Sequence, residues 1–283
     1  MRQGDSIIPS LTSKSGLTLP GVGFGTYQLN GAGGVVAIAE ALGHGYRLLD
    51  SAFRYENEGA VGRAVRDSPV DRAEVIVTSK LPGSRHRFEQ ALDTVTESLY
   101  RTGLEYLDLY LIHWPNPREG LFVEAWRALI EARDRGIVRA VGVCNFLPEH
   151  LTLLEEETGE LPAVNQIEMH PYVPQAQALA FHREKGMLTE AWSPLGRGTD
   201  LLDNPVIAEI ARVHGVSPAK VVLGWHVARG SIPLPKSSTP VRQRENVEIF
   251  GVGLTNAEVD RITALGRPDG RVAGQDPAVY EEF

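Results

Sequence analysis

The chain is poor in the residues that carry several common chemistries. Its 283 residues include a single cysteine, Cys144, which excludes an intrachain disulfide framework and any CxxC metal or redox motif. No run approaches the ~18 consecutive apolar residues of a membrane helix, and the start MRQGDSIIPS lacks the apolar core of a signal peptide. Basic residues are in deficit. There are 28 Lys plus Arg against 36 Asp plus Glu, a formal charge of −8, whereas a nucleic-acid binder leaves a basic footprint. The 8 histidines are scattered without ligand spacing, so no metal is expected. These absences lead to the expectation of a cytoplasmic protein without membrane or nucleic-acid partners. No exposed apolar stripe calls for assembly, so a monomer is expected.

What is present is enough for a large core: hydrophobic residues make up 42% and charged residues 23%, ordinary globular usage. Eight short strand-like runs alternate with longer amphipathic ones. They are Gly21–Gly25, Tyr46–Ser51, Val75–Leu81, Leu107–His113, Val138–Cys144, Val164–Met169, Leu188–Pro194 and Ile232–Lys236. Between them, Phe88, Leu92, Val95 and Leu99 share one helical face, as do Phe122, Trp126, Leu129 and Ile130. Asn204-Pro205 and Ser217-Pro218 mark helix starts, and Thr255-Asn256-Ala257-Glu258 reads as a capping box.

Strands alternating with helices imply a parallel sheet, and runs such as VIVTSKL and LDLYLIH are apolar throughout, as strands covered on both faces must be. Eight such units predict a (β/α)₈ TIM barrel forming a single domain over 1–283. The competing Rossmann sheet lacks its fingerprint, because Gly21-Val22-Gly23-Phe24-Gly25 leads into Thr26-Tyr27 rather than a helix. Beyond a minimal barrel, residues 1–20 suggest a hairpin capping the bottom, and 194–231 holds one extra helix before the eighth strand. After the last helix, Arg267–Phe283 reads as a surface tail.

In such a barrel the chemistry lies at the C-terminal ends of the strands. There the runs end at Asp50 (with Tyr55 just beyond), Lys80, His113, Cys144-Asn145, Met169-His170, Trp192-Ser193 and Lys236-Ser237. Each has an ordinary structural explanation alone, a turn cap or a snorkelling lysine. Their convergence at one mouth is what points to a site. A free phenol has a pKa of about 10, high for an acid near neutrality. A lysine cation beside it favours the phenolate, and a carboxylate holds that lysine. Lys80 and Asp50 suit those parts for Tyr55, and a neutral His113 could orient a carbonyl or relay a proton. Tyr55 would then deliver a proton to a developing alkoxide. No side chain can supply hydride, so a reduced cofactor must. Lys80 as a Schiff-base amine is the other reading, and it leaves Tyr55, Trp192 and Arg242 without a task.

The run Gly45-Tyr46-Arg47-Leu48-Leu49-Asp50-Ser51-Ala52, with Tyr55 and Glu58, resembles the first signature of the aldo-keto reductases. Lys80 and His113 stand where that family completes an Asp-Tyr-Lys-His tetrad. Gly142-Val143-Cys144-Asn145-Phe146 is similar to its second signature, and Leu234-Pro235-Lys236-Ser237-Ser238-Thr239-Pro240 with Arg242, Glu245 and Asn246 to its third. The resemblance implies a barrel oxidoreductase that uses NADP(H) to reduce a small-molecule carbonyl substrate. It implies that Cys144, Asn145 and Gln166 lie at the nicotinamide carboxamide and that Trp192 stacks on the ring. Ser193 and Leu195 would touch the pyrophosphate. Lys236, Ser237 and Arg242 would hold the 2′-phosphate, and Glu245 and Asn246 the adenine.

The family more often has serine at Cys144 and tyrosine at Trp192. Ala191-Trp192-Ser193-Pro194-Leu195-Gly196 and Gly270-Arg271-Val272 resemble the bacterial branch that includes 2,5-diketo-D-gluconate reductases. Tyr27, Phe53 and Trp114, with the tail near Val272, would line a substrate pocket suited to small aldehydes, dicarbonyls and keto sugars, and the short tail suggests an open one. Relatives that serve as cofactor-binding regulatory subunits supply a second reading, with little turnover.

Overall fold

The computed structural model describes residues 8–283. A two-stranded antiparallel hairpin comes first, β1 (Ser10–Thr12) against β2 (Thr18–Pro20), with Leu11 opposite Leu19. Eight parallel strands follow: β3 (Phe24–Gly25), β4 (Leu48–Asp50), β5 (Ile76–Leu81), β6 (Leu107–Ile112), β7 (Val138–Cys144), β8 (Val164–Glu168), β9 (Leu188–Trp192) and β10 (Ile232–Pro233). They are ordered in the sheet as in the chain. All eight sequence-predicted runs contain one of these strands. The hairpin is found as expected over 10–20, and residues 1–7 lie outside the described residues.

The sheet closes on itself through two backbone bonds, from Gly23 N–H to Pro233 O at 3.0 Å and from Gly25 N–H to Pro235 O at 3.2 Å. This seam explains two features of the sequence. Pro233 and Pro235 have no N–H to give, so β10 is shorter than the predicted Ile232–Lys236, yet their carbonyls still accept. Across the seam a Cβ on Gly23 would come within 2.5 Å of the Leu234 side chain, and one on Gly25 within 2.9 Å of Leu234 O. The glycine run therefore serves barrel closure rather than phosphate binding.

Inside the barrel, Leu19 of the hairpin packs with Leu48, Leu109, Leu111, Cys144, Val164, Leu188, Ile232 and Leu234. Side chains two apart on a strand share a face. The inward positions thus run from apolar at the bottom to polar at the top: Leu48 to Asp50, Ile76 to Lys80, Leu111 to His113, Val164 to Gln166, and Leu188 to Glu190.

Helices surround the barrel: α1 (Gly31–Gly43), α2 (Glu58–Asp67), α3 (Phe88–Thr102), α4 (Phe122–Asp134), α5 (Pro148–Thr158) and α6 (Ala176–Lys185). Next come α7 (Pro205–His214), α8 (Pro218–Ala228), α9 (Pro240–Val247) and α10 (Asn256–Thr263). The predicted faces of α3 and α4 are those that meet the sheet, with Leu92, Val95, Phe122, Trp126 and Leu129 buried. Predicted caps form as well. Asn204 accepts from Val206 N–H, Ser217 from Lys220 N–H, and Thr255 and Glu258 make the capping box. The extra helix before the eighth strand is present as α7 with α8.

Two findings depart from the sequence reading. Helix α9 was not expected, although Thr239-Pro240 repeats the start signal used for α7 and α8. Its buried face is formed by Gln243, Asn246 and Val247, and a largely polar inner face hides from any search for apolar periodicity. The second departure is the C-terminal segment. Arg267–Phe283 is not a free surface tail: Tyr280 packs on Trp114 with ring centroids 4.4 Å apart, and Glu282 is buried. Its Gly, Pro and charge content reflects backbone that is tied down by polar contacts instead of by an apolar stripe.

Helices α2 and α3 touch closely at Gly62, where a Cβ would lie 1.8 Å from Thr102 O. Backbone cannot retreat as a side-chain tip can, so Gly62→Ala should cost about 2–3 kcal/mol of stability. Gly59→Ala, whose nearest atom would be 3.5 Å away, is the control; urea unfolding of the two variants measures the difference.

Candidate active site

At the top of β4 and β5, Lys80 Nζ donates to Asp50 Oδ1 at 2.6 Å and to Ser51 O at 2.7 Å. Both side chains are buried. Burial is the largest single influence on the lysine pKa and lowers it, but the Asp50 charge and hydrogen bond, with Tyr55 and Cys144 beside them, together outweigh it and the net direction is upward, so Lys80 remains a cation. It lies 4.9 Å from the centroid of the Tyr55 ring.

Tyr55 ends a single helical turn, Phe53–Tyr55, on a loop fastened from below. Ser51 Oγ donates to Asn57 Oδ1 at 2.7 Å, Asn57 Nδ2 to Thr26 O at 2.6 Å, and Thr26 Oγ1 to Asp50 O at 2.8 Å. Asn30 Nδ2 donates to Tyr55 O at 2.8 Å. Burial pushes the Tyr55 phenol up to about 12, more than the neighbouring Lys80 cation lowers it. The sequence reading had the lysine favour the phenolate; its contribution has that sign, and desolvation exceeds it.

The Tyr55 ring meets His113 at 5.9 Å and Tyr27 at 5.1 Å, edge to face in both cases. Asp50, Tyr55, Lys80 and His113 thus come together at one mouth, as the strand ends suggested. Trp114 stands beside Trp192 at 6.4 Å, whereas Phe53 faces Arg101, whose guanidinium carbon is 3.8 Å from its ring centroid.

The second group of residues also gathers at this rim. Asn145, with φ 63°, donates from Nδ2 to His113 O at 3.0 Å and accepts at Oδ1 from Trp192 Nε1 at 2.7 Å. One N–H and one lone pair of its amide remain for a ligand. Ser193 has φ 47°, Leu195 is half-buried, and Cys144 is buried in the barrel interior. Burial raises the Cys144 thiol well above its ordinary value, so it stays protonated and is no nucleophile. Farther along the rim, Lys236 and Arg242 are exposed. Ser237 Oγ accepts from Thr239 N–H at 3.0 Å. Asn246 is buried and Glu245 half-buried.

Gln166 is fixed by a residue the sequence reading missed. Its Nε2 donates to Asp50 Oδ1 and to Glu190 Oε2, both at 2.8 Å. With both amide hydrogens engaged, its carbonyl is the end left for a ligand. Glu190 is buried, and desolvation together with the Asp50 charge pushes its carboxyl up to about 7. The available signal was phase: Glu190 follows Leu188 at the inward spacing, so a carboxylate had to enter the barrel. Glu282, also missed, reaches the His113 ring from far along the chain. Among the described residues, no group of three or more His, Cys, Asp or Glu is placed to hold a metal ion, and no helix is long and apolar enough to cross a membrane.

The chain matches the model of the Aldo/keto reductase family over residues 21–267. It is 51% identical to 2,5-diketo-D-gluconic acid reductase B of Corynebacterium sp. (strain SHS752001), with 98% of this chain and 99% of that protein covered. It is 40% identical to methylglyoxal reductase DkgA of Yersinia pestis, covering 96% and 97%. Among solved structures, a mutant of Gox0644 in complex with NADPH superposes with a TM-score of 0.92 at 36% identity, over 98% of this chain and 100% of that one.

A raised carboxyl such as Glu190 makes stability fall with pH. Between its ordinary value of 4.5 and about 7 the native state binds the proton that the unfolded chain releases, so stability is lost as pH rises through that window. Glu190→Gln removes the penalty. Its stability gain over the wild type should therefore grow between pH 4.5 and 7 by about 3 kcal/mol and level off above; urea midpoints measured across pH give the curve, and a flat difference would contradict it.

Proposed function

The chain belongs to the aldo/keto reductase family, and from that premise we propose that it reduces small aldehydes and ketones with NADPH, Tyr55 serving as the proton donor. The observation that carries this reading is a buried lysine–carboxylate pair, 2.6 Å apart, under a tyrosine held in its protonated form.

The residues present suit the nucleotide. Arg242 and Lys236 make no ion pair among the described residues, and the side chain of the N-cap residue Thr239 makes no capping bond at the start of α9. A helix N-terminus with free N–H groups and two unpaired cations fits a phosphomonoester, which NADH lacks. The relative solved with NADPH supports the same cofactor. At the other end, the free carbonyl of Gln166 and the remaining amide capacity of Asn145 suit a carboxamide, and the half-exposed Trp192 offers a stacking face. Bound NADPH supplies the hydride.

The chain's own groups do the rest. The Tyr55 hydroxyl gives its proton to the oxygen of the forming alcohol, in a pocket where burial keeps it from ionising early. The Lys80 cation, anchored by Asp50 and Ser51 O, steadies the phenolate that results. Tyr27, Trp114 and His113 line the approach, and Arg197 lies over Tyr27 at 4.8 Å. An aromatic lining with polar groups at its edge suits α-keto aldehydes, keto sugars and aromatic aldehydes. Relatives named for 2,5-diketo-D-gluconate and methylglyoxal support that class.

Tyr55→Phe should lower NADPH-dependent reduction of methylglyoxal, 2,5-diketo-D-gluconate and 4-nitrobenzaldehyde by at least about 10²–10⁴-fold. NADPH affinity, read by tryptophan fluorescence, should stay within about twofold of wild type. Activity within tenfold of wild type would remove Tyr55 as the donor. A wild-type protein that binds NADPH but turns over none of these carbonyls would favour a nucleotide-sensing role instead.

Arg242→Ala should weaken NADPH binding by about tenfold or more, the worth of a charge-assisted phosphate contact, and leave NADH nearly unchanged. Titration of both nucleotides against the variant decides it, since equal weakening would mean that Arg242 does not read the phosphate.

A further inference from the structure

The C-terminal segment carries a carboxylate into the site just described. Trp114 receives Tyr280, and Arg118 N–H donates to Glu281 Oε1 at 2.8 Å. Asn116, at φ 45°, then clasps the backbone of Glu282 in both directions. Its Nδ2 donates to Glu282 O at 3.0 Å, and Glu282 N–H donates to its Oδ1 at 2.9 Å. A Cβ on Gly83 would stand 2.5 Å from both Asn116 Nδ2 and Glu282 O, so the glycine in the loop after β5 makes the room that Asn116 and this segment occupy.

The Glu282 carboxylate is gripped at both oxygens. Gly83 N–H donates to Oε2 at 2.9 Å, while Oε1 lies 2.8 Å from His113 Nδ1 and 3.8 Å from Arg54 Nε. Burial pushes this carboxyl up, but the His113 charge, the Gly83 N–H and Arg54 together hold it below its ordinary value. The neighbouring His86 is buried with neither nitrogen bonded, and burial lowers it to about 4, so it adds no charge near neutrality.

The contact with His113 is electrostatic, since the Nδ1–H axis is not aligned on the oxygen. Its consequence for the ring is nonetheless definite. A nitrogen lone pair facing an ionised oxygen at that distance is repelled, so Nδ1 carries a proton and Nε2 is the nitrogen left for the mouth. A neutral ring in that tautomer only accepts at Nε2; to donate to a carbonyl oxygen it must be the cation, and a cation in a half-closed pocket requires a counter-charge. The sequence reading assumed a neutral His113, and it had no means of seeing Glu282.

We propose that Glu282 is a positioning residue of the active site, whose carboxylate fixes the proton on His113 Nδ1 and balances the ring's charge so that Nε2–H is presented to the substrate carbonyl. This rests on the reductase reading for its consequence in turnover, although the state of the ring can be measured without it.

The test uses Glu282→Gln, Glu282→Ala and Glu282→Asp in the full chain. A contact to a charged group is worth about 10–100-fold, so kcat/KM for methylglyoxal should fall by about that factor in the Ala and Gln variants and recover in part with Asp. The Kd for NADPH, by fluorescence, should remain within about twofold. In ¹⁵N-histidine-labelled protein, His113 should carry protons on both Nδ1 and Nε2 in the wild type and lose the Nδ1 proton in Glu282→Ala. Should that variant fail to fold, Glu282→Gln, neutral and of the same shape, keeps the kinetic comparison. Unchanged kcat/KM, a matching loss of NADPH affinity, or a wild-type ring carrying a single proton on either nitrogen would each overturn the proposal. A wild type that reduces no carbonyl would instead count against the reductase reading, with the ring measurement still deciding the role of Glu282.

Discussion

The lysine–carboxylate pair at the top of β4 and β5 is the constraint on which the site depends. A cation and an anion taken out of water at 2.6 Å are tolerable only because each is held by further groups. Ser51 O accepts from Lys80, and Gln166 donates to Asp50. Every one of these partners is rigid because it belongs to a strand or to the turn directly after one. The pair therefore fixes the height at which the barrel changes from apolar filling to polar mouth. It also decides where Tyr55 can lie, since the loop carrying that ring starts from Ser51 and is tied back to Thr26 through Asn57.

Two carboxylates and one lysine share this interior, and that imbalance is informative. Asp50 takes the Lys80 cation directly, while Glu190 reaches it only across the Gln166 amide. The consequence is one carboxylate bonded directly to the lysine and a second carboxyl that holds its proton to about neutral pH. An amide clasped by both has its orientation chosen for it. Gln166 cannot flip without turning its carbonyl towards two oxygens, so the end it offers to a ligand is set before any ligand arrives. This is preorganisation in a literal form, since no reorganisation remains to be done on binding.

How much of this was legible follows from what kind of contact made each part. The strands could be read because parallel strands covered on both faces are apolar throughout, and the gathering of Asp50, Lys80 and His113, with Tyr55 on the loop beyond, because strand ends of a barrel meet at one mouth. Their inward direction was also available, since Asp50, Lys80 and Gln166 each follow an apolar inward residue by two or four positions. Glu190 obeys the same rule and could have been found by applying it to every strand. Helix α9 could have been found from Thr239-Pro240, but only by setting apolar periodicity aside, because its inner face bonds through Gln243 to Ala37 O and Ser237 O.

Glu282 belongs to a different category. Its partners Gly83, Asn116 and His113 are separated from it by most of the barrel, and no local pattern relates a carboxylate in a Gly- and Pro-rich segment to a histidine that far upstream. Backbone groups do much of the holding, and backbone groups leave no trace in residue type. The seam at Gly23 and Gly25 shows the complementary case. There the closing bonds are also made by backbone, but close approach of two strands demands glycine, so the demand stands written in the run Gly21–Gly25 although the sequence reading used that run only to set aside a Rossmann fingerprint. Gly83 records the same demand at the mouth: among the residues holding Glu282 its identity is the one dictated by space, since a Cβ there would meet Asn116 and Glu282 O.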